Sequence, residues 1–299
     1  MKQQIKSSLI LLLTATIWGV AFVAQSVGME YIGPFTFNAI RCVLGGLVLI
    51  PVILVLKKKK ETGAENQEKE DKKTLWAGGI ACGVILCIAS NLQQFGIMEA
   101  GVGKSGFFTA LYIVMIPVIG IFIGKRPGIK LWFCVALAVV GMYLLCMKDG
   151  SFTIERADIM LLLCALAFSF HILVVDYFSP KVDGVKMSCI QFFVCGVLSA
   201  VGMLFTETPD ISNIQAAWLP LLYAGLLSCG VGYTLQIVGQ KGINPVIASL
   251  IMSLESVISA LAGWVILGQV LSPKEILGCV LMFVAIIITQ IPIGNKKTD

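Results

Sequence analysis

Apolar runs recur along the whole chain, each close to the twenty or so residues that a helix needs to cross a hydrocarbon core about 30 Å thick. Ten are legible, at 7–28, 35–56, 75–96, 104–124, 129–147, 157–178, 186–205, 216–239, 244–267 and 273–292. The polar stretches between them are short turns, such as those near 99–103 and 240–243, with one exception. After the second run comes the extended linker KKKKETGAENQEKEDKK. The pattern predicts an all-α integral membrane protein of ten transmembrane helices, and the even count places both ends of the chain on one side.

Composition excludes a water-soluble alternative. Of 299 residues, 58% are hydrophobic and 13% charged, whereas a soluble domain carries about a quarter charged residues. Mean hydropathy is +0.92. The lysines and arginines then orient the chain, because basic residues concentrate in cytoplasmic loops. With the N-terminus inside, 17 of the 22 basic residues fall on cytoplasmic segments. Four, Lys104, Lys148, Arg156 and Lys274, fall outside, and Arg41 lies within a helix. The expected location is the plasma membrane, multi-pass, with both termini cytoplasmic. The linker at 57–74 is a solvated positive-inside loop rather than a nucleic-acid patch, since acids are mixed with its lysines after Lys60. The first run continues through Gln25 without a cleavage site, so it is helix one and not a signal peptide.

Ten cysteines are present, none spaced C-x-x-C, and all lie in or beside apolar runs where cysteine behaves as a small hydrophobe. No disulfide, metal cluster or cofactor is expected.

The chain repeats itself. Shifted by 150, NAIRCVLGGL (38–47) overlays SCIQFFVCGV (188–197), pairing Arg41 with Gln191 and Gly46 with Gly196. TATIWGVAF (14–22) overlays CALAFSFHI (164–172), placing Trp18 on Phe168. Shifted by 144, IGIFIGKRPGIKL (119–131) overlays GWVILGQVLSPKE (263–275). Each half holds five helices, an odd number, so the second half enters the membrane from the opposite side. The expected units are 1–148, including the 57–74 loop, and 155–292. Inverted repeats characterise secondary transporters, with the substrate site near the midplane where the repeats meet.

At this point the sequence resembles a known family. LLLTATIWGVAF in the first helix, the arginine of NAIRCVLGG in the second and SLESVISALAGWVILGQ in the ninth are similar to the EamA type of the drug/metabolite transporter superfamily. The ninth-helix motif departs from the family pattern at Ser256, usually proline, and at Gln269, usually glutamate. The resemblance implies export or exchange of small metabolites, often amino acids.

Polar residues inside hydrocarbon need internal partners, so they reveal the faces turned into the bundle. The first helix offers the stripe Thr14, Trp18, Ala21 and Gln25, and the second offers Asn38 and Arg41. Asn91 and Gln94 follow in the third, with Ser105, Thr109 and Tyr112 in the fourth. His171, the lone histidine, lies in the sixth. Gly225, Ser228, Gly232, Tyr233 and Gln236 share the eighth. Hydroxyls such as Thr109 and Ser228 can bond their own helix, and small residues a turn or two apart also serve close packing. The candidate cavity residues are therefore Trp18, Gln25, Asn38, Arg41, Asn91, Gln94, Tyr112, His171, Tyr233, Gln236 and Glu255. Trp76, Trp132, Trp218 and Trp264 fall at helix ends, as interfacial anchors do.

Arg41 and Glu255 pose the sharpest question. A charge at mid-bilayer costs a few kcal/mol on insertion scales, and pairing lowers the cost of both partners. Their depths are compatible with a direct or water-bridged pair. Such a pair is either a permanent clamp or a gate and ligand-carboxylate site.

These features favour a non-enzymatic carrier of small neutral or zwitterionic metabolites working by alternating access. Its partners are the lipid bilayer and the small-molecule substrate, without nucleic acid, and the chain is expected to be a monomer or homodimer. A channel and an intramembrane enzyme are the alternatives. One histidine cannot build a metal triad, no two acids share a mid-membrane face, and no P-loop is present to bind ATP.

Overall fold

A computed structural model describes residues 2–62, 71–125, 127–146, 155–267 and 270–291. Residues 63–70 of the polar linker, Arg126, Lys148, Gln269 and the tail with Lys296 and Lys297 lie outside the described residues.

Over its described residues, each of the ten expected runs is built from helix. Among the described residues, nine spans are long and apolar enough to cross a membrane, and Ile129–Leu145 is a shorter apolar helix in the position of the fifth run. Helix starts follow local capping chemistry. Asp71 accepts the Lys73 amide at the head of α3 (Lys72–Ala110), and Asp183 accepts the Val185 amide before α7 (Gly184–Thr206). Ser272 and Glu275 cap each other's backbone at the head of α13 (Pro273–Gln290), with Pro273 at the first helical position. Each arrangement satisfies amides that a helix start leaves without partners.

The outer surface is hydrocarbon. Leu9, Ile88, Phe170, Val197, Phe283 and Ile287 are all exposed. In water such a surface would associate; in lipid it is the required solvent match.

The packing pattern carries the repeat. Besides α3, α7 and α13, the long elements are α1 (Lys2–Gly28), α2 (Pro34–Thr62), α5 (Ile129–Cys146) and α6 (Arg156–Phe178). Helix α2 packs on α7, and α5 on α13, so each pairs with its own repeat mate. Helix α3 packs on α6, just as α1 packs on the eighth span. This is what a two-fold axis in the membrane plane produces. The ends also sort as an up-down bundle requires. Ser8 of α1 meets Gln290 of α13, and Lys130 of α5 reaches the Thr289 carbonyl, at one end. At the other, Glu207 holds the start of α2 through the amides of Phe35 and Thr36, each at 2.9 Å.

Four details differ from the sequence reading. The turn expected at 99–103 is made without leaving helical backbone, so α3 runs on to Ala110. The fourth run breaks at Leu111, whose amide reaches back only three residues to the Phe108 carbonyl; α4 (Tyr112–Phe122) follows. The ninth run breaks at Ser253–Leu254, between α11 (Pro245–Met252) and α12 (Glu255–Leu267). There the Ser249 and Ser253 hydroxyls bond the carbonyls of Val246 and Leu250, three residues back, competing with the helix's own ladder. In the repeat alignment of offset 144, Leu111 falls on Glu255, so the two breaks lie within two residues of one another.

The eighth run is the fourth difference. After the short α8 (Ile211–Ala216) and α9 (Trp218–Leu222), residues Tyr223–Tyr233 form a π-helix, and α10 (Thr234–Gln240) completes the span. Gly225 lets this stretch approach α2 closely: a Cβ there would lie 2.7 Å from the Leu44 Cβ and 3.2 Å from the Arg41 carbonyl oxygen. π-Helical segments are rare and concentrate at functional sites.

Candidate functional site

A cavity enclosing about 460 Å³, including its open mouth, lies where the two halves meet. Helix α1 contributes Trp18, Ala21, Phe22 and Gln25, and α2 contributes Arg41. Gln93 and Thr109 of α3 and Tyr112 of α4 complete the first half's share. From the second half come Phe168 and Ile172 of α6, Ser228 and Tyr233 of the π-helix, Gln236 of α10 and Glu255 of α12. Both broken helices reach it, α4 through Tyr112 and α12 through Glu255, each the first residue after its break. Interrupted membrane helices in corresponding positions of two halves are the structural mark of a transporter's binding site.

The aromatic wall is built around Trp18. Its indole Nε1 donates to the Ser228 carbonyl at 3.4 Å, and its ring lies 4.6 Å from that of Tyr233 with the planes tilted by 55°. Gly232 makes room, since a Cβ there would come within 2.7 Å of the indole nitrogen. Phe168, the repeat mate of Trp18, faces the same space.

Arg41 is 2% exposed. Its Nη1 donates to Gln25 Oε1 at 2.8 Å, and its guanidinium carbon lies 5.6 Å from the Phe37 ring centre. Its Nε has no hydrogen-bond partner. Glu255, 5% exposed, accepts from the Tyr112 hydroxyl at 3.1 Å. The direct Arg41–Glu255 pair is therefore absent from this conformation. The two charges face one cavity, and each is met by a neutral partner from a nearer helix. Gln25, near the end of α1, lies alongside the start of α2, whereas Glu255 sits deeper, about 15 Å along its span from Pro245 at the usual helical rise.

The repeat alignment explains a second polar pair. Gln191, the mate of Arg41, meets His171 Nε2 through its Oε1 at 3.1 Å. In both halves the second helix thus presents a polar side chain to the first at the same position. His171 is fully buried, packs against the Tyr233 ring 6.0 Å away, and does not line the cavity.

Three more candidates are helix fasteners rather than cavity lining. Asn38 Nδ2 donates to Asn91 Oδ1 at 2.9 Å, and Asn91 Nδ2 donates to the Cys87 carbonyl at 2.8 Å and to Ser199 Oγ at 3.0 Å. This chain ties α2, α3 and α7 together. Gln94 Nε2 approaches Met29 Sδ at 3.4 Å. One residue of helical rotation separates Gln94 from Gln93, which does face the cavity. Periodicity identifies a polar face there without choosing between adjacent glutamines. Gln93, Phe22 and Ile172 carried no signal of their own. Thr109 and Ser228 line the cavity as well, although hydroxyls like theirs can equally bond their own helix.

Gln236 lines the inner part of the cavity. Its Nε2 donates to Gln240 Oε1 at 3.4 Å, and its Oε1 has no partner. The walls thus expose a cationic donor at Arg41 and an amide acceptor at Gln236, separated by aromatic surface. Asp176, at the end of α6, lies away from it and pairs with Lys125 at 2.9 Å.

Comparison with known proteins agrees with this architecture. The model of the EamA-like transporter family matches the chain twice, over residues 5–147 and 155–291. An uncharacterized transporter of Archaeoglobus fulgidus is 27% identical over 282 residues, covering 94% of this chain and 84% of that protein. The uncharacterized transporter YwfM of Bacillus subtilis is 24% identical over 307 residues, covering 97% and 96%. One crystal structure superposes with a TM-score of 0.77 at 18% identity, covering 95% of this chain and 96% of its own; that likeness shows the fold.

Proposed function

We propose that this chain, which belongs to the EamA-like transporter family, exports or exchanges a small zwitterionic metabolite of the amino-acid kind through its central cavity by alternating access. The observation that carries the reading is Arg41: a buried cation in the cavity wall, held by an amide instead of an acid, with one N–H donor free. A substrate carboxylate completes that site with a charge-assisted hydrogen bond, which is stronger than a neutral one. The body of the substrate lies against Trp18, Tyr233 and Phe168.

The two units, 1–148 and 155–292, are the bodies that rock about this site. The excess of basic residues on one side supports a plasma-membrane protein with both termini and the 57–74 loop in the cytoplasm. The relatives' names support a carrier rather than an enzyme.

The test is counterflow in liposomes with labelled amino acids, small carboxylates lacking an amine, and uncharged metabolites. Saturable uptake stimulated by unlabelled substrate inside, confined to carboxylate-bearing compounds, is expected. Unsaturable flux indicates a channel, and exchange of compounds that lack a carboxylate removes the role given to Arg41.

A further inference from the structure

Glu255 is the acid among the cavity's lining residues. It is buried, it receives one hydrogen bond from the Tyr112 hydroxyl, and among the described residues no cation lies within ion-pair distance of it. The cation that shares its cavity, Arg41, is engaged with Gln25. A carboxylate so placed is uncompensated, and acids inside the membrane that lack a partner mark ion and proton paths.

We infer that Glu255 is a proton-exchange site, loaded from one compartment and unloaded to the other as the cavity changes the side it faces. The inference rests on the transporter reading and adds its energy source. Two features equip the residue for both protonation states. The Tyr112 hydroxyl can donate to the ionised carboxylate and accept from the acid, so one contact serves both forms. Glu255 also stands in the first turn of α12, immediately after the break at Ser253–Leu254, where the helix end favours negative charge. The proton gained from one side is the proton lost to the other, while substrate moves the opposite way.

The groups around Glu255 limit what else could titrate in its place. Tyr112 of α4 bonds it, Arg41 and Tyr233 line the same cavity, and Cys164 of α6 is near enough to interact with it electrostatically. Of the helices that pack on α12, α1 carries charge at Lys2 and Lys6, at its far end. Helix α3 carries Lys72, Lys73, Glu99 and Lys104, and α5 carries Lys130 and Tyr143. Ser256, beside Glu255, reaches the Gly106 carbonyl of α3 at 3.4 Å.

Infrared difference spectroscopy of the full chain in lipid vesicles tests the site without any substrate, the proton being the probe. Wild type should show the carbonyl stretch of a protonated carboxylic acid that disappears as pH rises. Glu255→Gln should lack that band. Tyr112→Phe, which removes the donor to the carboxylate, should keep it to higher pH. In liposomes, an imposed pH gradient should raise uptake of the amino acid that gives counterflow, and in Glu255→Gln the ratio of gradient-driven to gradient-free uptake should fall to one. A wild-type-minus-Glu255→Gln difference with no titrating carbonyl band, or an unchanged midpoint in Tyr112→Phe, overturns the assignment. So does a Glu255→Gln protein that still responds to the gradient. Absence of counterflow in wild type overturns the transporter reading instead, leaving the spectroscopic result to decide the proton site.

Discussion

Trp18 and Arg41 show how much one side chain decides in a low-dielectric wall. Trp18 gives the cavity its largest aromatic face and is tied to the π-helix by its indole N–H. Trp18→Ala should weaken the apparent affinity of the transported compound about 2- to 10-fold, the usual worth of an aromatic contact, without unfolding the protein. Competition counterflow measures it, and unchanged affinity across the panel reduces Trp18 to packing. Arg41 calls for a double-mutant cycle. Gln25→Leu with Arg41→Met should show a coupling of about 1–2 kcal/mol in thermal stability, the range of a buried hydrogen bond to charge in a membrane bundle. Arg41→Met with Glu255→Gln should show coupling near zero in this conformation. A strong coupling in the second cycle would mean that the two charges meet in another state of the carrier.

Among the elements, the contacts at the bundle ends are as informative as the cavity. The Glu207 carboxylate, just beyond α7, accepts from the first amides of α2 and from the Thr36 hydroxyl at 2.6 Å. It joins a helix end of the second half to a helix start of the first, and it satisfies amides that α2 would leave bare. Glu207→Ala should cost about 1–2 kcal/mol of stability and speed hydrogen exchange at the Phe35 and Thr36 amides. If those amides stay protected, the helix start has another partner and Glu207 is not the clasp. The breaks in the fourth and ninth spans belong to the same scale. Each break is followed at once by a cavity residue, Tyr112 and Glu255, and these two meet through a hydrogen bond at 3.1 Å, the contact on which the proton inference depends.

For the molecule as a whole, the distribution of lysine and arginine makes a prediction about orientation. Cysteine placed at Lys58 should resist a membrane-impermeant thiol reagent in intact cells and react after permeabilisation, while cysteine at Ser212 should react from outside. Wild type is the blank, because the described native cysteines are free but buried or half-buried. Reaction of the Lys58 variant in intact cells inverts the topology.

Long apolar runs determined the helices, because a backbone in hydrocarbon has no partner but itself. Their even number, the five-and-five division and the charge asymmetry likewise follow from sequence alone. So does the inward position of Trp18, Gln25, Arg41, Tyr112, Tyr233, Gln236 and Glu255, since polar and aromatic groups at depth must face the interior. Which interior was a matter for the tertiary structure. Asn38 and Asn91 satisfy the same rule by bonding to neighbouring helices, Gln94 by turning to Met29 beyond the end of α1, and His171 through Gln191. Helical periodicity marks a face to about one residue, so Gln93 and Gln94 could not be told apart. The π-helical turns go with close approaches such as Gly225 to α2 and Gly232 to Trp18, which arise when the two halves come together. The same assembly separated Arg41 from Glu255, because a pairing compatible in depth still requires two helices to bring the groups to one point.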